Sequence, residues 1–299
     1  MAVFSYVDPA ELYQWCKVPV DELEHNPRLK VPFRLVDDSA AMGRLMAKEI
    51  IDMIERANEE GREFRAIIPC GPAAWEKPFV TMVNERRVSL KHFVVYHMDE
   101  CLDWQGRELD PENPYSFRGH MTREWYEPVD ESLRVPEENR HWLNPHTYED
   151  ISQELIENPV ELAYGGWGQD GHLAYNQSRR QAYSKVSFEQ FADSRARIQD
   201  NNDDTIMALA QRTFGSAYEF VPPMSVTLGM KEILSAKKVR VFSDTGAWKQ
   251  TALRVALFGS PTAEYPMTAL QFHKDALITA TRETAAHPIS LHPEWRLGF

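Results

Sequence analysis

Disulfide chemistry is nearly closed to this chain: its 299 residues hold three cysteines, Cys16, Cys70 and Cys101, widely spaced and without a CxxC pair. Neither a disulfide framework nor a zinc knuckle is readable, and a reducing compartment, the cytoplasm, is expected. Positive charge is also short. Thirty-three Lys and Arg stand against 45 Asp and Glu, a formal net charge of −12. Nucleic acid and anionic membrane both reward concentrated basic residues, so neither is expected as a partner. No apolar run reaches the roughly 18 residues of a membrane helix, and the start, MAVFSYVDPAELYQW, has neither a basic n-region nor an apolar h-region. A small molecule is the expected partner.

What is present is a 43% hydrophobic chain, enough to bury a sizeable core. In SAAMGRLMAKEIIDMIERANEEG, Met42, Leu45, Met46, Ile50, Met53 and Ile54 recur at helical spacing behind a Ser39 cap. Residues 64–69 read as a buried strand closed by the breaker PCGP, with a helix from about Ala74. The alternation continues through strands at 92–99 and 160–166, the helix ISQELIEN, the strand KKVRVFSD, the helix AWKQTALRVALFG and the strand DALITAT. Strands separated by helices predict an α/β fold: an open, mostly parallel, Rossmann-like sheet with helices on both faces. Residues 1–35 break this rhythm and are expected as an N-terminal arm on a single domain, 36–299. Residues 178–220, polar and strand-poor, are expected as its mobile lid.

In open parallel sheets, ligands sit outside the carboxyl ends of the strands. Four unusual sequences fall at such ends: PCGP (69–72), HMDE (97–100), GGWGQDGH (165–172) and SDTGAWK (243–249). Asp99 and Glu100, with Asp170 and His172 from a second strand end, are ingredients for proton transfer on a small substrate. Glycines such as Gly71 and Gly171 let the backbone fold close to a ligand. Lys249, early in a helix, can bind an anion together with the helix N-terminus. Adjacent acids at a strand end are often merely solvated, and a histidine between Gly171 and Leu173 is often structural. The convergence of four such sequences on one sheet edge outweighs those readings. His97 and the neighbouring carboxylates lack a standard zinc spacing, so no metal is expected. Carboxylates beside Cys101 raise its thiol and argue against a nucleophile.

HMDECL…NPYSF, GGWGQDGHLAYN, MSVTLGMKEIL, GAWKQTA and MTALQFH follow one another along the chain. This series, collinear from Phe33 to His287, resembles the glucosamine-6-phosphate deaminase/isomerase family, which is related to the 6-phosphogluconolactonases. The resemblance implies that His172 assists opening of the sugar ring with Asp170 as its partner. It implies further that Asp99 moves a proton between neighbouring carbons, and that ammonia then leaves. No metal or organic cofactor is implied. Glu100, Gly71, Gly171, Asn176 and Lys249 are expected to contact the sugar, and a homo-oligomer is expected because relatives commonly assemble.

Three departures stand out. The family loop ends Asn-Glu-Pro, whereas this chain has Asn176, Gln177 and Ser178. Gln177 is expected to orient His172 by hydrogen bonding, without the charge of a glutamate. In the first loop Pro72 removes a backbone N–H and Ala73 a hydroxyl, both useful to a phosphate. The family's phosphate-clamping arginine falls at Ile206, leaving Arg179, Arg180, Arg195 or Arg197 to substitute, with Arg197 taken as a substrate contact. The expected activity is isomerisation and deamination of an amino-sugar phosphate. The alternatives are lactone hydrolysis, disfavoured by Met98 in MDE and by AYN, and a catalytically weak sugar-binding regulator.

Overall fold

The computed structural model describes residues 7–179, 183 and 185–298. Their strands, in chain order, are β1 (Phe33–Val36), β2 (Phe64–Ile68), β3 (Phe93–His97), β4 (Asp99–Leu102), β5 (Arg140–His141), β6 (Leu162–Gly165), β7 (Arg197–Asp200), β8 (Met224–Thr227), β9 (Lys238–Ser243) and β10 (Ala276–Thr281). Seven of them form one sheet in the order β1-β10-β9-β6-β2-β3-β5, every neighbouring pair parallel. The open α/β sheet expected from the strand–helix alternation is therefore present.

Successive strand residues point to opposite faces, and the burial follows that period. Phe64, Ala66 and Ile68 of β2, with Phe93 and Val95 of β3 and Leu162 and Tyr164 of β6, face one core. Ile67, Val94 and Tyr96, and Ala163 face the other. The helix Ser39–Glu59 lays Met42, Met46, Ile50 and Ile54 on the first face. Its cap is Asp38, not Ser39: Asp38 is extended and its Oδ1 accepts from Ala41 N at 2.7 Å, while Ser39 Oγ donates to Asp244.

Two sequence expectations change. Residues 92–99 are not one strand: the large sheet ends at His97, and Asp99 opens β4 of a second, antiparallel sheet in the order β4-β8-β7. Met98 bridges the two, its N–H donating to Ile68 O and its carbonyl accepting from Leu228 N. Nor is 178–220 strand-poor throughout, because Arg197–Asp200 forms β7, flanked by helices Phe188–Ala192 and Asp203–Thr213. A four-residue polar strand gives no hydrophobic alternation to read.

The N-terminal segment carries short helices Pro9–Cys16 and Val20–Leu23 and packs into the core through Val18, Leu23 and Val31. Arg254, fully buried, donates to Val18 O and Ala285 O, and Lys30 N donates to Leu257 O. The segment enters the sheet at Phe33, the first residue of β1.

Candidate active site

From β2 the chain builds outward through β3 to β5, then returns to β6 and builds the other way through β9 and β10. The order thus reverses between β2 and β6, the position where open α/β sheets leave a crevice for ligands. The loops after these two strands meet there. A Cβ added at Gly166 would lie 3.3 Å from Gly71 O and 3.6 Å from Phe242 O, so glycine permits the close approach. Gly71 itself is exposed, with open space beside it.

The loop after β6 folds back on itself, with Trp167 bridged to Leu173, and turns at Gly171, whose φ of 77° is left-handed. This brings Asp170 beneath His172: Oδ1 lies 2.6 Å from His172 Nδ1 and accepts from His172 N at 3.1 Å, while Oδ2 accepts from Ser178 N at 3.1 Å. Burial acts to raise the Asp170 carboxyl, but the charge and hydrogen bond of His172 and the two N–H groups outweigh it and hold it at about 2. The imidazole rests on Gly168, where any Cβ would fall 2.0 Å from His172 Cε1. An ionised carboxylate that fixes one imidazole nitrogen leaves the other to exchange protons with a ligand.

Asp99 enters by the change of sheet at Met98. In the small sheet Asp99 pairs with Thr227, and Thr227 pairs with Arg197 on its other side. Side chains directly opposed across antiparallel strands share a face, so Asp99 and Arg197 flank Thr227. Burial pushes the Asp99 carboxyl up to about 8, with the charge of Glu100 adding to the effect. A carboxylate so destabilised is a stronger base than an ordinary aspartate.

Other residues read as ligand contacts are committed elsewhere. Glu100 is 4% exposed and accepts from the N–H groups of Cys101, Phe117 and Arg118 at 2.9, 2.8 and 2.7 Å, anchoring the helix Phe117–Met121. Asn176, fully buried, donates to Leu173 O and Leu228 O and accepts from Arg197 Nη1 at 2.9 Å. Gln177 does not hydrogen-bond His172: Nε2 donates to Thr205 Oγ1 at 2.6 Å and Oε1 accepts from Asn202 N at 2.8 Å, which ties the loop to the start of helix Asp203–Thr213. An open cavity of about 1130 Å³ is lined by Gln177, Arg197 and Asn202 among others. His97 is buried against Trp142, ring centroids 3.7 Å apart, and bonds Tyr126 OH.

Lys249 follows β9 at the end of a single 3₁₀ turn, Ala247–Lys249. Its Nζ lies 5.1 Å from the Trp248 ring centroid and 5.9 Å from that of Trp167, whose Nε1 donates to Lys249 O. Across the same Trp248 ring, at 5.3 Å, stands the guanidinium of Arg212. Burial and, to a smaller extent, the charge of Arg212 lower the lysine to about 7, with Asp244 opposing both. Among the described residues neither cation forms a salt bridge, and two positive groups share one indole. Arg212 was not among the sequence candidates. Its helix reads as an ordinary amphipathic surface, and only the fold sets it against Lys249. Of the arginines that were named, Arg195 pairs with Ser152 and Gln153, Arg179 is exposed, and Arg180 lies outside the described residues.

No family model matches the chain. Curated relatives do. The glucosamine-6-phosphate deaminase of Pasteurella multocida is 30% identical over 278 residues, covering 88% of this chain and 95% of the relative. That of Vibrio cholerae is 30% identical over 252 residues, covering 80% and 86%. Among solved structures, a monomeric glucosamine-6-phosphate deaminase superposes with a TM-score of 0.71 at 19% identity, over 85% of this chain and 98% of that one. The 6-phosphogluconolactonase of Thermotoga maritima gives 0.56 at 16%, over 83% and 98%. The two solved structures share the fold, and the identity and coverage of the curated relatives carry the assignment: this chain belongs to the glucosamine-6-phosphate deaminase family.

Proposed function

We propose that this protein isomerises and deaminates an amino-sugar phosphate, with glucosamine-6-phosphate as the expected substrate. The observation that supports the reading is that the loop after β6 carrying the Asp170–His172 pair rests, through Tyr175, on the small sheet that holds the Asp99 carboxyl raised by burial. His172 moves a proton from the anomeric hydroxyl to the ring oxygen and opens the sugar. Asp99, ionised, takes the proton from the amine-bearing carbon and returns it to the neighbouring carbon, converting the amino-aldose into a ketose imine. Water then hydrolyses the imine, releasing ammonia and leaving the ketose phosphate. The anionic tail is held by Lys249 and Arg212, which stand in for the donors that Pro72 and Ala73 do not supply.

Ammonia release and ketose formation from glucosamine-6-phosphate test the reading, run beside 6-phosphogluconolactone and non-phosphorylated amino sugars. Ammonia from the phosphate alone is the expected outcome; lactone opening without ammonia would overturn it. Arg212→Met is expected to raise KM about tenfold with kcat little changed, because the clamp binds ground state and transition state alike.

A further inference from the structure

The loop that carries His172 and the strand that carries Asp99 come from different sheets, and Tyr175 touches both. Tyr175 lies on the small sheet on the face bearing Asp99, Thr227 and Arg197 in one cross-strand row and Cys101, Ser225 and Gln199 in the next. Its N–H donates to Thr227 Oγ1 at 3.0 Å, its carbonyl accepts from Gln199 Nε2, and its hydroxyl lies 3.2 Å from Cys101 Sγ. Tyr175 therefore touches β8, β7 and β4 at once. Its ring runs parallel to that of His172, 6.2 Å away and 14° from coplanar, and on its other contact to Phe117, 6.3 Å away.

The backbone is bent to achieve this. Ala174 has φ 53°, a left-handed conformation that costs a non-glycine residue about 1–2 kcal/mol and turns the next residue onto the sheet. The hydroxyl is buried, yet its partner is a thiol, a weak hydrogen-bonding group. Asp99 is two residues from that thiol along β4, on the same face; burial first, and then the charges of Cys101 and Asp99, push the phenol up.

We propose that Tyr175 is a positioning residue: it registers the His172 loop against the Asp99 strand, through Thr227 on one side and Cys101 on the other. It rests on the deaminase reading only for its kinetic readout. The test uses full-length protein with Y175F, T227V and T227S, reading thermal stability, kcat and KM, and the imidazole nitrogen signals of His172, identified by their loss in H172Q. Y175F and T227V are expected to lower kcat about tenfold or more with KM within about threefold, since misalignment by a fraction of an ångström acts on the chemical step. T227S, which keeps the hydroxyl, is expected to remain within about threefold of wild type in kcat. The His172 signals are expected to shift in both Y175F and T227V while the proteins stay folded.

Folded Y175F and T227V with unmoved His172 signals would overturn the proposal whatever the substrate proves to be. So would T227S as impaired as T227V. Were wild-type protein to leave glucosamine-6-phosphate untouched while the His172 signals still responded to both substitutions, the deaminase reading would fall and the positioning role would stand.

Discussion

At the scale of single residues, burial sets the working range. In the proposed role Asp99 is a base only when ionised, and its carboxyl is raised to about 8, so the competent fraction should grow as pH climbs through that value. In its proposed role Lys249 would hold an anion only when protonated, and it is lowered to about 7, so capture of substrate should weaken as pH passes that value. The two limbs cross. A plot of kcat/KM against pH should be a narrow bell with its maximum between 7 and 8, whereas kcat at saturation should keep rising, because bound anion stabilises the lysine's charge. A flat profile from pH 6 to 9 would contradict both assignments. Gln177 offers a second check. Its amide oxygen accepts from Asn202 N and its amide nitrogen donates to Thr205 Oγ1, so a carboxylate there would keep the first bond and, with the Thr205 hydroxyl turned to donate, replace the second at the start of a helix and stay off the imidazole. Gln177→Glu is therefore expected to fold normally and to change kcat by less than about threefold; a large gain would mean that the side chain leaves these partners during turnover.

At the scale of elements, Glu100 shows how an acid that reads as reactive can be architectural. Removing it in Glu100→Ala leaves three N–H groups without an acceptor, the buried one of Cys101 at a cost of about 1–3 kcal/mol and the partly buried ones of Phe117 and Arg118 at less, and frees the start of the helix Phe117–Met121. Differential scanning calorimetry should find Tm lower by about 5 °C or more; an unchanged Tm would refute the anchoring role. The sequence could announce Asp99 and Glu100 only as a pair, because strand alternation sends neighbours to opposite faces, and which face is occupied depends on a partner strand over a hundred residues away. The parallel sheet was legible for the opposite reason: its strands are continuous apolar runs and its helices keep an apolar stripe, both local signals. The small sheet was not, since β4 and β7 are short and polar and derive their conformation from β8. Likewise the DGH loop was readable as a site from its glycines, whereas Arg212, remote in sequence from Lys249, was not.

At the scale of the whole molecule, the N-terminal segment is part of the core. Val18 and Leu23 are buried in the main apolar cluster, and the segment supplies an acceptor to the buried Arg254. Deleting residues 1–30 should lower Tm by about 10 °C, from two or more lost apolar side chains at roughly 1.5–3 kcal/mol each. A truncated protein that melts with the full chain would show the segment to be an appendage. The change of sheet at Met98 reaches further still. Lys249 hangs from the end of β9 in the large sheet, while Asp99 belongs to the small one and the His172 loop leans on it through Thr227. On the proposed roles, the span from tail to reacting carbon is thus set between two sheets that are pinned to each other at Met98, Tyr175 and Asn176. Cross-linked in this way, the two sheets form a fixed gauge, which would select a sugar by the distance between its anionic end and its reacting carbon.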